Sequence, residues 1–261
     1  MRDITFVYGS LNNGYDNGPA DPVPNYHFER TIFSANSLKT RYNANVVFVD
    51  WCSESSKKYK NSLVSGIHYV HVPPIVNEYL HEGNESTQQF YEWIAKDIGA
   101  YFTVTDKIAF VNGDDIFPKN FIEKLTLLSF SPDTWYASNK IDITNELFKN
   151  SSLLYDIADN NPKKFNVIGG PYNFCFGDFS LMYKTSYDKA GGYPYIHKHA
   201  YGDVLLNNSL AANSVKHKTF EENFYHLAHN KAGKSYVFSQ AIIDKPKIKS
   251  LILQNAKLEI L

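Results

Sequence analysis

Cysteine, arginine and long apolar runs are all scarce in this sequence of 261 residues. The two cysteines, Cys52 and Cys175, are too few for a disulfide framework, and we expect both to be free thiols. No uninterrupted apolar stretch approaches the roughly 20 residues that cross a bilayer. The strand-like run after Asp3 is too short for the apolar core of a signal peptide, so we expect none. These absences exclude a disulfide-stapled domain and predict a cytoplasmic protein without a transmembrane segment.

Basic charge is also limited, and this bears on the partners. The chain has 26 Lys and Arg residues against 27 Asp and Glu residues, a formal net charge of −1. Nucleic acids and anionic membranes favour a strongly basic face, so we expect neither as a partner. The only arginines are Arg2, Arg30 and Arg41, which leaves few candidates for bidentate phosphate recognition.

Strand-like and helix-like segments alternate in the first part of the chain. Apolar runs rich in branched and aromatic residues predict strands at Ile4–Tyr8, Val46–Asp50, Ile67–Val72 and Ile108–Val111. Helical spacing of apolar residues predicts helices at His27–Arg41 and Gln88–Ala100. The resulting order, β-α-β-β-α-β, indicates an α/β fold whose central sheet is largely parallel with right-handed crossovers.

The second part of the chain is less regular. We expect helices at Phe121–Leu128, Thr185–Ala190 and Asp203–Asn213, and strands at Trp135–Ile141, Phe174–Tyr183 and Phe220–Ala228. Between Asn145 and Asn173 the pattern predicts only an exposed loop and a Gly169-Gly-Pro turn. No internal repeat or low-complexity linker interrupts the chain, so we expect one domain over residues 1–261. Within it we expect residues 1–118 and 119–230 as two halves, followed by a tail.

The stretch from Asp106 to Pro118 carries the clearest chemical signal. A strand buried on both faces ends in the polar turn Asn112-Gly-Asp-Asp115, whose glycine permits a tight bend. Open α/β sheets bind ligands at the carboxyl ends of their strands. The carboxylates of Asp114 and Asp115 suit a hard divalent cation beside substrate phosphates. The alternative is an ordinary β-turn whose aspartate caps the next helix.

Several spaced segments together fit one known pattern. The chain resembles the GT-A fold glycosyltransferases, which use nucleotide-diphosphate sugars, from Ile4 to about Asn230. The matching segments of the nucleotide-binding half are the first strand with its Gly9–Pro24 loop, the Val-Asp-Trp end of the second strand, Ala95–Ala100 and Asp106–Asp115. Those of the acceptor half are Gly177-Asp-Phe, Gly191-Gly-Tyr-Pro, Tyr201-Gly-Asp203 and Tyr225-His-Leu-Ala-His229. The ordered set is more specific than any one motif.

The resemblance implies a divalent metal, Mn²⁺ or Mg²⁺, against the donor diphosphate. The family's Asp-x-Asp motif reads Asn112-Gly113-Asp114 here, so one negative charge of the motif is missing. Asp114 then becomes the leading metal ligand, with Asp115 close behind. A late histidine, His226 or His229, matches the position that contacts the metal or the diphosphate. Either histidine could instead be a packing residue, because residues i and i+3 on a strand face opposite sides.

The resemblance also implies contacts to the nucleotide. Asp50 matches a contact to the ribose or base, and its alternative is a turn or cap role. Lys96 and Asp97 match a helix that leans on the nucleotide, the alternative being a solvent-facing charged pair. The same half of the fold supplies the remaining candidates, which are Tyr8, Ser10, Arg30, Asn112 and Gly113.

Two acids in the acceptor half are candidates for catalysis. Asp203 matches the position of the general base in inverting members, and its alternative is a helix N-cap. We expect the dipole at that helix start to help keep it ionised. Asp178 lies where these enzymes contact the donor sugar or the acceptor, and it competes with Asp203 for the role of base.

The sequence therefore predicts an inverting glycosyltransferase that moves a sugar from a UDP- or GDP-type donor to a glycan or another hydroxyl acceptor. A nucleotidyltransferase that makes sugar nucleotides is one alternative. Its glycine-rich loop would carry Arg or Lys, whereas residues Gly9–Pro24 contain neither. A glycan-binding module with a decayed site is the other, and the missing acid at Asn112 favours it. Hydrolysis of a nucleotide sugar without acceptor would separate an enzyme from a pure lectin.

Overall fold

The computed structural model describes residues 3–11, 26–53, 57–82, 90–144, 151–173, 175–197, 202–228 and 243–261. Within these ranges the helices are α1 (Tyr26–Tyr42), α2 (Lys57–Ser62), α3 (Ile75–His81), α4 (Glu92–Tyr101), α5 (Lys119–Leu127), α6 (Ser151–Asn160), α7 (Lys184–Lys189), α8 (Gly202–Ala212) and α9 (Lys245–Asn255). The strands are β1 (Ile4–Ser10), β2 (Asn45–Trp51), β3 (His68–Val72), β4 (Lys107–Val111), β5 (Asp115–Ile116), β6 (Thr134–Ile143), β7 (Val167–Tyr172), β8 (Phe179–Tyr183), β9 (Lys216–Leu227) and β10 (Lys257–Ile260).

All of these strands join one sheet in the order β10-β3-β2-β1-β4-β8-β6-β9-β5, with β7 paired to β6. The strands β3, β2, β1 and β4 run parallel, as helical crossovers require. Beyond β4 the sheet is mixed, since β8 is antiparallel to both β4 and β6 while β9 is parallel to β6. The predicted α/β architecture is confirmed, with parallel pairing among the first four strands and again between β6 and β9.

Helices cover both faces of the sheet. Successive residues of a strand point alternately towards the helices on one face and those on the other. On β1, Phe6 and Tyr8 join the cluster under α1 and α5, whereas Val7 joins the cluster under α4 and α9. Gly99 lets α4 approach closely, because a Cβ there would lie 2.4 Å from a methyl of Val7. A third cluster, under α6, packs against β5 and the end of β6. Strands β1 and β2 are therefore buried on both faces, which explains their continuous apolar runs.

Several elements were missing from the sequence prediction. The stretch expected as loop and turn contains α6 and β7, and the strand expected from residue 174 begins only at Phe179. The short helices α2 and α3 and the two-residue strand β5 were also missed. The carboxy-terminal segment, expected as a tail, packs on the fold instead, with β10 pairing antiparallel to β3.

Two expectations concern the whole chain. Among the described residues, no helix is both long enough and apolar enough to cross a membrane. Cys52 is buried and Cys175 is half-buried, and both are free thiols. The thiol prediction is therefore confirmed.

Candidate active site at the strand ends

The polar turn after β4 lies at the carboxyl end of the parallel strands, as predicted. Its glycine is required for packing rather than for a left-handed backbone. A Cβ on Gly113 would lie 1.9 Å from Oγ1 of Thr31 in α1, so only glycine fits there. The turn is thereby pressed against α1. The expected contact of Gly113 to the nucleotide stays a prediction, and the structure shows this close approach to α1.

Asp114 pairs with His226, and His226 pairs with a second acid. The Nε2 atom of His226 lies 3.1 Å from Oδ2 of Asp114, and its Nδ1 atom lies 2.9 Å from Oδ1 of Asp142. Burial lowers the pKa of His226, but the two carboxylates outweigh this and raise it to about 10. The imidazole is therefore protonated at neutral pH in the metal-free protein and donates to both acids. Asp142 had not been singled out in the sequence.

The side chain of Asp115 is buried within the turn and does not lie on its surface. It is fully buried, and its Oδ2 atom accepts a hydrogen bond of 2.9 Å from the backbone N–H of Asn112. Burial, together with the negative charges of Asp178 and Asp114, holds its pKa well above the ordinary value. Its main-chain carbonyl accepts from Ser34 of α1. Its Oδ1 atom is buried without a hydrogen-bond partner among the described residues, and a role of Asp115 as a metal ligand stays a prediction.

A chain of polar side chains crosses the site from α4 to β6. The ammonium of Lys96 contacts Glu92 at 2.7 Å, Oδ1 of Asn112 at 2.7 Å and the carbonyl of Gly177 at 3.1 Å. These three acceptors use its three donors, so Lys96 supports the site from within, and its contact to a nucleotide stays a prediction. The chain continues through Asp178, which accepts from Nδ2 of Asn112 at 2.9 Å and pairs with Lys140 at 2.9 Å.

Asp203 lies at the start of α8, next to this chain. Its Oδ2 atom lies 3.0 Å from the point that a Cβ on Gly177 would occupy. The helix start is fixed from behind by Trp93 of α4, whose ring would be 2.2 Å from a Cβ on Gly202. Burial raises the pKa of Asp203, and a hydrogen bond from the backbone of Val204 and the charge of Lys96 only partly oppose it. We expected the helix start to favour the ionised form, but burial outweighs it.

The remaining predicted nucleotide contacts are buried. Tyr8 bonds to Ser34 at 2.8 Å, and Ser10 bonds to Tyr59 at 2.6 Å. Arg30 of α1 is 1% exposed. Asp50 is fully buried at the end of β2, where it accepts from Tyr69 and lies 3.2 Å from Nδ1 of His71. These side chains are buried and bonded within the fold, and their contacts to a nucleotide stay predictions.

Asp97 belongs to a different part of the molecule. Its carboxylate accepts from Tyr187 at 2.7 Å and Tyr195 at 3.1 Å, and it pairs with Lys245 at 3.2 Å and Lys249 at 2.7 Å. These contacts hold α9 and the segment after α7 against α4. They occupy both oxygens of Asp97, so we no longer expect it to contact the nucleotide.

The structure thus brings together most of the predicted residues and adds two. Asn112 contacts Asp178, Asp114 contacts His226, and Asp203 lies beside Gly177, the residue before Asp178. His229, Tyr201 and most of the Gly9–Pro24 loop lie outside the described residues. Lys140 and Asp142 were missed. They lie two positions apart on β6 and therefore share one face of the strand. A polar pair at this spacing after an apolar run is the signal by which they could have been found.

Comparisons with known proteins bear on the fold alone. The sequence matches no protein-family model and no curated protein. Among solved structures, TarS 1–349 of S. aureus in complex with UDP-GlcNAc is similar, with a TM-score of 0.50 and 15% identity, over 99% of this chain and 68% of that chain. A mycobacterial protein matches with a TM-score of 0.50 and 14% identity, over 88% and 68% of the two chains. The mannosyltransferase PcManGT from Pyrobaculum calidifontis, in complex with GDP-Man and Mn²⁺, matches at 0.49 and 12%, over 88% and 59%.

The two matches at a TM-score of 0.50 identify the architecture. The chain has the GT-A fold, a mixed α/β sheet flanked by helices on which nucleotide-sugar glycosyltransferases are built. It spans about two thirds of the length of the TarS and mycobacterial chains. Because a fold hosts more than one activity, what the chain does has to be argued from its site.

Proposed function

We propose that this protein is a glycosyltransferase that moves a sugar from a UDP- or GDP-type nucleotide sugar to a hydroxyl acceptor, with inversion. The observation that carries the proposal is that the Asn112–Asp115 turn of a GT-A fold brings Asp114 to His226 and Asn112 to Asp178, with Asp203 beside Gly177. These groups supply the two functions that the reaction needs, which are stabilisation of a leaving diphosphate and removal of a proton from the acceptor.

Asp114 and His226 fit a divalent metal. Two ligands at adjacent corners of an octahedron with bonds of about 2.1 Å lie about 3 Å apart, and the observed Oδ2–Nε2 separation is 3.1 Å. Asp142 supports this assignment, because a carboxylate on the second nitrogen of a ligand histidine fixes the orientation of its ring. Within the described ranges no cluster of three or more acidic, His or Cys side chains could hold a metal by itself. Donor phosphates and water would complete the shell.

The metal, Mn²⁺ or Mg²⁺, would supply positive charge to the departing diphosphate. The protein residues carry out the rest of the reaction. Asp203 accepts the proton of the acceptor hydroxyl while the oxygen of that hydroxyl forms a bond to the anomeric carbon of the sugar. The bond from that carbon to the diphosphate breaks on the opposite face, and its electron pair leaves with the diphosphate. Asp178 is less suited to be the base, since Asn112 and Lys140 already occupy its two oxygens.

Turnover of UDP- and GDP-sugars by Asp203→Asn tests this assignment. Losing a general base should lower turnover about 10²–10⁴-fold while UDP or GDP affinity stays within about twofold. The matched control is Asp188→Asn, an exposed aspartate of α7, which should keep full turnover. The product should carry an inverted anomeric centre. Normal turnover by Asp203→Asn, or retained configuration, would contradict the proposal, and no turnover of any donor by the native protein would favour a binding module.

The raised pKa of Asp203 predicts how the activity should depend on pH. Only the ionised carboxylate accepts a proton, so activity should fall as the pH drops through this raised pKa. The acidic limb of the kcat/KM profile should therefore lie above the ordinary aspartate value of about 3.9. Chelation of divalent metal should abolish turnover, and Mn²⁺ or Mg²⁺ should restore it. A protein that is fully active in excess chelator would rule out the metal assignment while leaving Asp203 open to its own test.

A further inference from the structure

Position 112 is where this chain departs from the acidic motif, and its surroundings explain the amide. Oδ1 of Asn112 accepts from the ammonium of Lys96 at 2.7 Å, and Nδ2 donates to Oδ1 of Asp178 at 2.9 Å. One end of the side chain meets a cation and the other end meets an anion. An amide satisfies both, whereas a carboxylate at 112 would face the carboxylate of Asp178 at hydrogen-bond distance.

The sheet topology places Asn112 and Asp178 next to each other. Strands β4 and β8 are antiparallel with Val111 opposite Phe179, so the residue after β4 faces the residue before β8. Those two residues are Asn112 and Asp178. The pairing therefore follows from the sheet register rather than from a chance contact of two flexible side chains.

Lys140 holds the other oxygen of Asp178. It lies on β6, which pairs with β8 through Ala137 and Ser180, and its ammonium is 2.9 Å from Oδ2 of Asp178. Burial lowers the pKa of Lys140, but the negative charge of Asp178 outweighs it, so the pKa is raised and the cation is retained. The two side chains are 16% and 18% exposed, whereas Lys96 at the other end of the chain is 1% exposed. The row of polar side chains is thus buried at α4 and partly exposed to solvent at the Asp178–Lys140 pair.

We propose that Asp178 supplies the carboxylate that position 112 lacks, and that Asn112 and Lys140 are positioning residues that hold it towards the transferred sugar. This inference rests on the proposed function. A carboxylate accepts hydrogen bonds from sugar hydroxyls, and an ammonium beside it donates to a neighbouring hydroxyl oxygen. The pair therefore fits a sugar with two adjacent free hydroxyls.

An exchange of side chains tests the pairing in the ligand-free protein. Asn112→Asp should lower the Tm because it opposes two carboxylates, and Asp178→Asn should lower it because it leaves Lys140 without its anion. The double variant restores an amide–carboxylate contact with reversed polarity and places the new carboxylate at position 112 against Lys96. Its loss in Tm should be clearly smaller than the sum of the two single losses.

A surface pair provides the matched control. Asn160 donates to Asp156 at 2.8 Å on the exposed face of α6, with the same amide–carboxylate chemistry. The exchange Asp156→Asn with Asn160→Asp should change the Tm little, both singly and together. Additive losses for positions 112 and 178 would overturn the proposal.

Binding measurements test the part of the proposal that concerns the sugar. Asp178→Asn should weaken binding of UDP- or GDP-linked hexoses at least about tenfold relative to the native protein, while UDP and GDP alone bind within twofold. Lys140→Arg should keep sugar-nucleotide affinity, and Lys140→Met should lose it as Asp178→Asn does. Unchanged sugar-nucleotide binding by Asp178→Asn would refute the assignment. If the native protein turned over no donor, the proposed function would fail, but the exchange experiment would still decide the pairing.

Discussion

Lys96 and Asp97 are neighbours on α4, carry opposite charges and are equally buried at 1% exposure. The structure nevertheless places them in two separate networks. Lys96 faces the strand ends and contacts Glu92, Asn112 and Gly177. Asp97 faces the other way and is enclosed by two tyrosines and by Lys245 and Lys249. Adjacent residues of a helix point about 100° apart, which is enough to separate a site from a structural clamp.

The comparison shows that a buried charge does not by itself identify a functional site. What distinguishes the two networks is where each one ends. The Lys96 network ends at the partly exposed Asp178–Lys140 pair, beside Asp114 and Asp203. The Asp97 network ends in lysines of α9 and in main-chain carbonyls. Both oxygens of the Asp97 carboxylate already accept hydrogen bonds within it. Substitutions in the first network should therefore affect ligand binding, and those in the second should affect stability alone.

The largest expected effect on stability is that of Asp97→Ala. Removing the shared anion leaves two lysines and two tyrosine hydroxyls without their acceptor, and breaking a buried pair in this way costs about 3 kcal/mol. Urea denaturation followed by tryptophan fluorescence would measure the loss, with Asp188→Ala as an exposed control near zero. Binding of UDP or GDP should be unchanged at a temperature where the variant is folded. A loss of nucleotide binding without a loss of stability would reverse the assignment of the two networks.

Lys96→Met should have a smaller effect on stability and a clear effect on binding. The variant keeps the length of the side chain but leaves Glu92 and Oδ1 of Asn112 without their donor, at a cost of about 2 kcal/mol. Because Asn112 then loses its fixed orientation, sugar-nucleotide affinity should fall as well. Calorimetric titration alongside the same urea series would measure both quantities. Equal binding by Lys96→Met and the native protein would show that the site does not depend on α4.

The smallest effect should come from Lys249→Met. This lysine is 29% exposed and leaves Asp97 paired with Lys245 and both tyrosines, so the expected cost is about 0.5–1 kcal/mol. Lys245→Met should cost more, because Lys245 also donates to the carbonyls of Gly191 and Tyr193. The order of the two unfolding free energies is the measurement. A larger loss for Lys249→Met would mean that the carbonyl contacts of Lys245 contribute little.

Much of the fold could be predicted from the sequence, because its first four strands are short apolar runs rich in branched and aromatic residues, and helical patterns precede two of them. Of the elements that were missed, α2, α3 and β5 are short, and others rely on tertiary pairing. Strand β7 is one such case, since Val167 and Ile168 are exposed and its Gly-Gly-Pro sequence is typical of a turn. Its pairing with β6 overrides that local preference.

The site was predictable to the extent that its residues lie in motifs. Asn112, Asp114, Asp178, Asp203 and His226 were found in this way, and the structure brings them together. Burial could not be predicted, and the structure shows that Tyr8, Ser10, Arg30, Asp50 and Asp115 are all buried. The direction of Lys96 and Asp97 depends on what packs against each face of α4, and the partners of Asp97 include a segment that carried no recognisable motif.

The Asp97 clamp also has a consequence for synthesis of the chain. Its two lysines lie 148 and 152 residues further along the sequence. At about 5–20 residues per second, a ribosome needs roughly 7–30 s to make that intervening stretch. During this interval Asp97 has no counter-ion from α9, and the α4 face that carries it stays uncovered by its final partner. The amino-terminal strands can pair early, but this side of the molecule closes only when the last helix emerges.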